Sequence, residues 1–250
     1  MAPTALARIL RPNQSLERLV RMLQTVNGVD KVLQTYIFAQ RLLVHFLQRA
    51  GPEHGETIKR IVSLVPAFND ARFILRLAGL GELPVIQGIT RMENHPPQST
   101  LSLFVRRAQL WLMFAYFPLE HYAWLAGKGA IKVDPALSSR ASVLSVRCMA
   151  LALGLGFYGL YEEHIALTAR EKQLARQGAE LDQKEKARQA AKLATDRASW
   201  AIRVVNNLCF FPIMSQMGGL VSPFLNDMHI GLLGSVASAA QLYAAWQATA

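Results

Sequence analysis

The chain of 250 residues is long enough for one large domain or two small ones, and 52% of its residues are hydrophobic. This share lies slightly above that of a soluble globular protein, so composition alone does not establish a membrane protein. The formal charge of +10 is spread over several amphipathic segments instead of forming one stripe with interleaved aromatics, which favours an anionic lipid surface over nucleic acid as the partner.

Apolar residues recur with helical spacing from the start of the chain, and alternating strand patterns are scarce. Asn13 or Ser15 is the expected N-cap of a first helix, which residues 27–28 (Asn-Gly) should break. Asp30 is the expected N-cap of a second helix that reaches about Arg49.

A third amphipathic stretch runs from Thr57 to Leu80, with Pro66 expected to kink or restart it. Each deeply buried aliphatic side chain contributes roughly 1.5–3 kcal/mol, and each cation near an anionic surface ~1 kcal/mol, so its apolar face should outweigh its charge on a membrane. Packing against the protein's own core is the competing interpretation. A polar linker is expected around residues 93–98.

Two apolar segments follow in the middle of the chain. Residues 101–126 are rich in aromatics, but their uncharged run over 108–119 is too short to cross a membrane unaided, since a spanning helix needs roughly 20 residues. Residues 138–161 are similar and contain Arg147. Each segment predicts either a buried core helix or a helix in the membrane interface.

The last third of the chain alternates between charged and apolar composition. Residues 170–197 are crowded with charged residues, glutamine and alanine, which predicts a solvated helix or a flexible insert. Residues 229–246 carry no formal charge and would extend ~27 Å as a helix, close to a hydrocarbon core of roughly 30 Å. They are the best transmembrane candidate. Small residues repeat on this segment at spacings that favour contact between helices, namely Gly231, Gly234, Ser235 and Ser238.

No constellation in the sequence indicates catalysis. The six histidines do not pair at helical spacing, and residues 162–164 (Glu-Glu-His) lack the second histidine of a zinc-protease motif. A phosphate-binding loop and a serine nucleophile elbow are absent from the sequence. The two cysteines, Cys148 and Cys209, lie in apolar stretches and predict buried thiols. The sequence therefore predicts a protein that is not an enzyme, with no catalytic residue, metal site or cofactor.

Five segments, in order, resemble motifs of the peroxisomal membrane-proliferation family (peroxin eleven). Residues 27–36 (NGVDKVLQTY) and 39–43 (AQRLL) resemble its opening motif, and residues 70–78 (DARFILRLA) its basic amphipathic helix. Residues 117–125 (FPLEHYAWL) are similar to its central aromatic motif. Residues 231–238 (GLLGSVAS) resemble its terminal membrane segment.

The resemblance implies a protein of the peroxisomal membrane that elongates it before fission. In the family, the helix matching residues 58–80 inserts into one leaflet and favours curvature. The implied apolar insertion residues are Phe68, Phe73, Ile74, Leu75 and Leu80. The implied phosphate-binding residues are Lys59, Arg60, Arg72 and Arg76. Homo-oligomers would form through Gly231, Gly234, Ser235 and Ser238, and the fission machinery and a membrane-protein import receptor would be further partners.

The predicted fold is an all-α membrane protein with amphipathic helices and a C-terminal transmembrane helix. It is a single domain over residues 1–250. Its parts are N-terminal amphipathic helices at 13–84, apolar aromatic-rich helices at 100–165, a charged helical insert at 166–198 and C-terminal membrane helices at 199–250. The predicted function is remodelling and proliferation of peroxisomes. The alternatives are a channel for small metabolites, or a soluble helical interaction protein.

Overall fold

The computed structural model describes residues 13–77, 82–94, 99–177 and 182–249, and these ranges contain helices and turns without a β-strand. The predicted all-α class is confirmed. The helices are α1 (Gln14–Leu23), α2 (Val26–Ala50), α3 (Gly55–Leu75), α4 (Glu82–Asn94), α5 (Thr100–Gly127), α6 (Pro135–Gln177), α7 (Gln183–Met217) and α8 (Asp227–Gln247).

The long helices pack in a series that nearly closes on itself. α5 packs on α6, α6 on α7, α7 on α8, α8 on α2, and α2 on α3. Side chains near the C-terminal end of α3 then reach back to α5. α4 lies on α5, and α1 lies against α2 and α8. This arrangement leaves a cavity between α2, α3, α5, α6 and α7.

The first two helices begin where their capping residues place them. Asn13, one of the two residues expected to cap α1, does so by accepting hydrogen bonds from the backbone of Ser15 and Leu16. The predicted N-cap of the second helix is wrong, because the Thr25 hydroxyl caps α2 by accepting from the Gly28 amide. Residues 27–28 therefore lie inside α2, and the Asp30 carboxylate is available for another partner.

α3 continues through Pro66 without a break, so the expected restart there is wrong. None of its residues is buried; it packs on α2, and near its C-terminal end it also contacts α5. α4 was not predicted from the sequence, since Pro84 and Gly88 are poor helix formers. Its Gly88 admits a methyl group of Leu110 from α5, which a Cβ at this position would approach to 2.9 Å.

The candidate membrane span lies in the middle of the chain, which corrects the predicted C-terminal location. Among the described residues, one helix is long and apolar enough to cross a membrane, over Pro135–Arg176 of α6. Only 33% of its most apolar stretch is buried in the structure. α8 does not meet this requirement, because its glycines, serines and Gln241 offset its aliphatic residues, and it packs on α2 and α7.

Two clusters form the core. One joins α4, α5 and α6 around Val85, Phe117 and Cys148, and the other joins α7 and α8 around Ile213 and Cys209. Both cysteines are buried free thiols, as predicted.

The charged insert belongs to two long helices. The C-terminal part of α6 and the N-terminal part of α7 run side by side, joined by hydrogen bonds from Arg197 to Glu171 at 2.7 and 2.9 Å. Arg203 pairs with Glu163 at 2.5 Å. These pairs give the segment a defined helical partner, so the solvated-helix interpretation describes it better than the flexible one.

Candidate functional site

A buried ion pair ties the C-terminal half of α3 to α2. Asp30 of α2 is 4% exposed, and Arg72 of α3 donates a hydrogen bond from Nε to its carboxylate at 2.7 Å. Lys31 Nζ lies 2.9 Å from the other carboxylate oxygen. Burial opposes ionisation of Asp30, but Arg72 and Lys31 outweigh it, so the pKa of this carboxyl lies below its ordinary value. Asp30 therefore stays ionised and holds α3 against α2.

A second ion pair joins the end of α3 to α5. Arg76 Nη1 lies 2.6 Å from Glu120 and 2.8 Å from the Tyr116 hydroxyl, which itself hydrogen-bonds to Glu120. Burial alone would lower the pKa of Arg76, but Tyr116 and Glu120 reverse that effect and raise it above its ordinary value. Arg76 and Glu120 are 16% and 13% exposed, so solvent screens this pair weakly.

Aromatic and polar contacts extend the attachment of α3 to α5. Phe73 stacks on Trp124 with ring centroids 5.8 Å apart. The Trp124 indole N–H and the Lys128 ammonium donate to Asp70 at 3.0 and 2.5 Å. We call three of these ion pairs the latch: Asp30–Arg72, Arg76–Glu120 and Asp70–Lys128. The latch holds only the C-terminal half of α3.

The predicted lipid-binding residues divide between an outward and an inward face of α3. Lys59, Arg60 and Ile74 are exposed. The others that the structure describes are partly buried, namely Phe68, Arg72, Phe73, Leu75 and Arg76. Leu80 lies outside the described residues.

Two of the arginines expected to bind phosphate have partners within the protein, and their contact with lipid stays a prediction. The Arg72 and Arg76 guanidinium groups were expected to hold lipid phosphates, but in the structure they hold Asp30 and Glu120. An inward-facing guanidinium beside a buried carboxylate is stabilised without a phosphate. The predicted insertion residue Phe68 likewise lies against Tyr36 of α2, with ring centroids 4.7 Å apart.

The small-residue face of α8 is occupied by the same chain. A Cβ on Gly234 would overlap the Phe38 ring of α2, and one on Gly231 would lie 3.0 Å from the Arg41 Cβ. Ser238 is fully buried, and the Ser235 hydroxyl is inaccessible. This face was expected to join two copies. Within one chain it contacts α2, and its role in self-association stays a prediction. The close approach itself is the kind that small residues permit.

The cavity beside the latch has a volume of about 1070 Å³. Its polar end consists of latch residues and their neighbours on α2, α3 and α5. Its apolar walls come from α6 and α7, with Met149, Phe210, Met214 and Met217 among the lining side chains. The described residues contain no group of three or more His, Cys, Asp and Glu side chains that could hold a metal ion.

Sequence reasoning missed the carboxylates of the latch. Asp30 was interpreted as a helix cap, and Glu120 only as the end of an apolar run. A signal exists for Asp30, because Asp30, Gln34 and Ile37 share one face of α2 at helical spacing and all are buried. A charged residue on an otherwise buried face predicts a buried partner. No sequence signal identifies Arg72 as that partner.

Comparison with protein families identifies one match over nearly the whole chain. Residues 16–246 match the family described as Peroxisomal biogenesis factor 11 (PEX11). Comparison with curated proteins and with solved structures finds no significant match.

Proposed function

Because the chain belongs to the peroxisomal biogenesis factor 11 family, we propose that it elongates the peroxisomal membrane by laying α3 into one leaflet. Members of this family are peroxisomal membrane proteins with a role in peroxisome biogenesis and proliferation. Its members are peroxisome biogenesis factors, and the family is not a known enzyme family.

The outward face of α3 is the observation that carries the proposal. It combines the exposed cations Lys59 and Arg60 with the exposed apolar residues Leu64 and Ile74, which are 46% and 53% exposed. A helix with apolar and basic residues side by side on its accessible surface suits the boundary between lipid head groups and acyl chains. Its lack of any buried residue means that little core packing opposes its movement.

The free energies of membrane binding indicate that α3 can bind at two depths. Full burial of two aliphatic side chains contributes roughly 3–6 kcal/mol, and half-exposed ones gain about half of that. Two cations near an anionic surface add about 2 kcal/mol. The latched helix can therefore bind a membrane surface. Deep insertion of Phe68, Phe73 and Leu75 requires the latch to open, since these side chains face the protein.

Self-association and fission partners belong to the same proposal. We propose that several copies concentrate the effect of α3 on curvature and that the fission machinery and a membrane-protein import receptor act on the assembled protein. An exposed stripe on α8, formed by Leu232, Val236 and Tyr243, lies opposite the face that contacts α2. Cross-linking through cysteines placed at Val236 tests whether copies meet there, and its absence at all concentrations would exclude this surface.

Liposome tubulation tests the central proposal. Purified full-length protein is added to liposomes with anionic lipid and viewed by electron microscopy. Wild type should draw tubules, whereas Leu64→Glu/Ile74→Glu should bind weakly and draw none, because two carboxylates replace apolar side chains on the outward face.

The matched control is Thr57→Glu/Ser63→Glu, which adds the same charge to exposed positions of α3 but keeps its apolar residues. It should retain most of the tubulation. If wild type inserts into liposomes without deforming them, insertion of α3 is not the mechanism. Conductance across a planar bilayer would then test the metabolite-channel alternative.

A further inference from the structure

The cavity beside the latch has a cationic end. Lys31, Arg72 and Arg76 line it together with the carboxylates of Asp30 and Glu120, so three positive charges face two negative ones. Lys128 also lines the cavity, but Asp70 neutralises it. The polar end therefore carries one uncompensated positive charge on side chains that are partly buried.

This end also has hydrogen-bond donors to spare. Arg72 uses Nε for Asp30, and Arg76 uses Nε and Nη1 for its partners in the protein. Within the described residues, the remaining guanidinium nitrogens of both arginines have no hydrogen-bonding partner. Burial lowers the pKa of Lys31, which Asp30 only partly offsets. A bound anion would stabilise all three cations.

The opposite walls of the cavity are apolar and adaptable. Met149 of α6 and Phe210, Met214 and Met217 of α7 line them. Unbranched methionine side chains adjust to irregular apolar ligands. The volume of about 1070 Å³ lies at the upper limit of the roughly 300–1,000 Å³ that small-molecule sites occupy. The space therefore exceeds what a small inorganic anion fills.

We propose that this cavity binds a single-chain amphiphile with an anionic head group, its head beside Lys31 and Arg72 and its alkyl chain between α6 and α7. Charge complementarity selects the head, and the methionine-rich wall selects the chain. A membrane protein meets such amphiphiles in the lipid that surrounds it. A soluble anion would leave the apolar wall unused, and a neutral amphiphile would leave the cationic end uncompensated.

Native mass spectrometry of the full-length protein, released from a neutral maltoside detergent, tests the proposal. The probe is dodecyl phosphate, compared with 1-dodecanol and with inorganic phosphate. Dodecyl phosphate should bind as one adduct per chain, at least tenfold more tightly than either comparison. Equal binding of 1-dodecanol would overturn the anionic head group, and equal binding of inorganic phosphate would overturn the alkyl chain.

Two variants locate the ligand. Lys31→Gln removes the uncompensated charge but leaves the Asp30–Arg72 pair, and should weaken binding at least tenfold. Met214→Trp fills the apolar part and should do the same, with circular dichroism confirming the helical content of both variants. Lys186→Gln, at an exposed position of α7 outside the cavity, is the matched control and should bind as wild type does. Unchanged binding in Lys31→Gln, or an equal loss in Lys186→Gln, would overturn the assignment to this cavity.

Discussion

α3 and α8 have the same length but are attached to the protein by opposite means. Both contain 21 residues. α8 approaches α2 through glycines and buried small residues, so backbone packing fixes its position. α3 has no buried residue. Ion pairs and an aromatic stack hold its C-terminal half, and Tyr36 of α2 contacts the Phe68 ring and donates a hydrogen bond to the Ile61 carbonyl.

The difference separates a helix fixed by backbone packing from the helix that we propose to move. Close packing resists any small displacement, because interiors are dense and contacts are lost at once. Ion pairs can exchange their partners for water or for lipid phosphates at a moderate cost when they reach the surface. This contrast supports the proposal that α3 acts on the membrane, although the sequence of α8 looks more like a membrane segment.

Arg76→Gln should give the largest change. It removes the partner of Glu120, and loss of one member of a buried pair typically costs about 3–5 kcal/mol. Hydrogen exchange should become faster along α3 and stay unchanged in α8. The control is Arg170→Gln, whose exposed pair with Asp196 should contribute about 1 kcal/mol or less. Unchanged exchange in α3 would show that Arg76 does not hold this helix.

Gly234→Leu should act on the other helix. The new side chain would overlap Phe38, and overpacking of this kind costs about 3 kcal/mol. Exchange should become faster in α8 and in the part of α2 around Phe38, as seen together with a lower midpoint of thermal unfolding. Ala239→Leu adds the same side chain on the exposed side of α8 and should leave the midpoint within a few degrees. Equal effects of the two variants would argue against the contact between α8 and α2.

Acid should open the latch at Asp30. Its folded pKa lies below the ordinary value, so pairing contributes stability that is complete above the unfolded pKa near 4 and is lost as the pH falls through the folded pKa. Stability measured by urea unfolding should therefore decline below about pH 4. Asp30→Asn should be less stable than wild type at pH 7 and show a shallower decline. The control is Asp227→Asn, at an exposed position. If both variants reduce the pH dependence of stability equally, Asp30 is not the source of that dependence.

The smallest expected effect concerns lipid binding alone. Lys59→Gln/Arg60→Gln should weaken binding to anionic vesicles by about 1 kcal/mol per charge at low salt, without changing the unfolding midpoint. Lys186→Gln/Lys192→Gln removes the same charge from exposed positions of α7 and should have little effect. Co-sedimentation with vesicles measures both. If the two pairs of substitutions weaken binding equally, net charge and not the face of α3 governs it.

The sequence was sufficient for the features that depend on local physics. Helical periodicity predicted α5 and α8 within a few residues, and capping preference reduced the start of α1 to two candidates, of which Asn13 is the cap. Contacts between residues that lie far apart along the chain could not be predicted from the sequence. The Asp30–Arg72 pair joins positions 42 residues apart, and the partner of the α8 glycines lies on α2. The guanidinium groups of Arg72 and Arg76 suit lipid phosphates and protein carboxylates equally, so only the fold decides which of the two they contact.

The length of α6 has a consequence for how the protein presents itself to others. Its 43 residues extend about 64 Å, roughly twice a hydrocarbon core of about 30 Å. With the apolar part of α6 placed in a bilayer, the part after Tyr161 would project about 25 Å beyond it. Paired with α7 through Glu171 and Arg197, this part would act as a spacer. A protein docked on its far end would be held away from the lipid by nearly the diameter of a small domain.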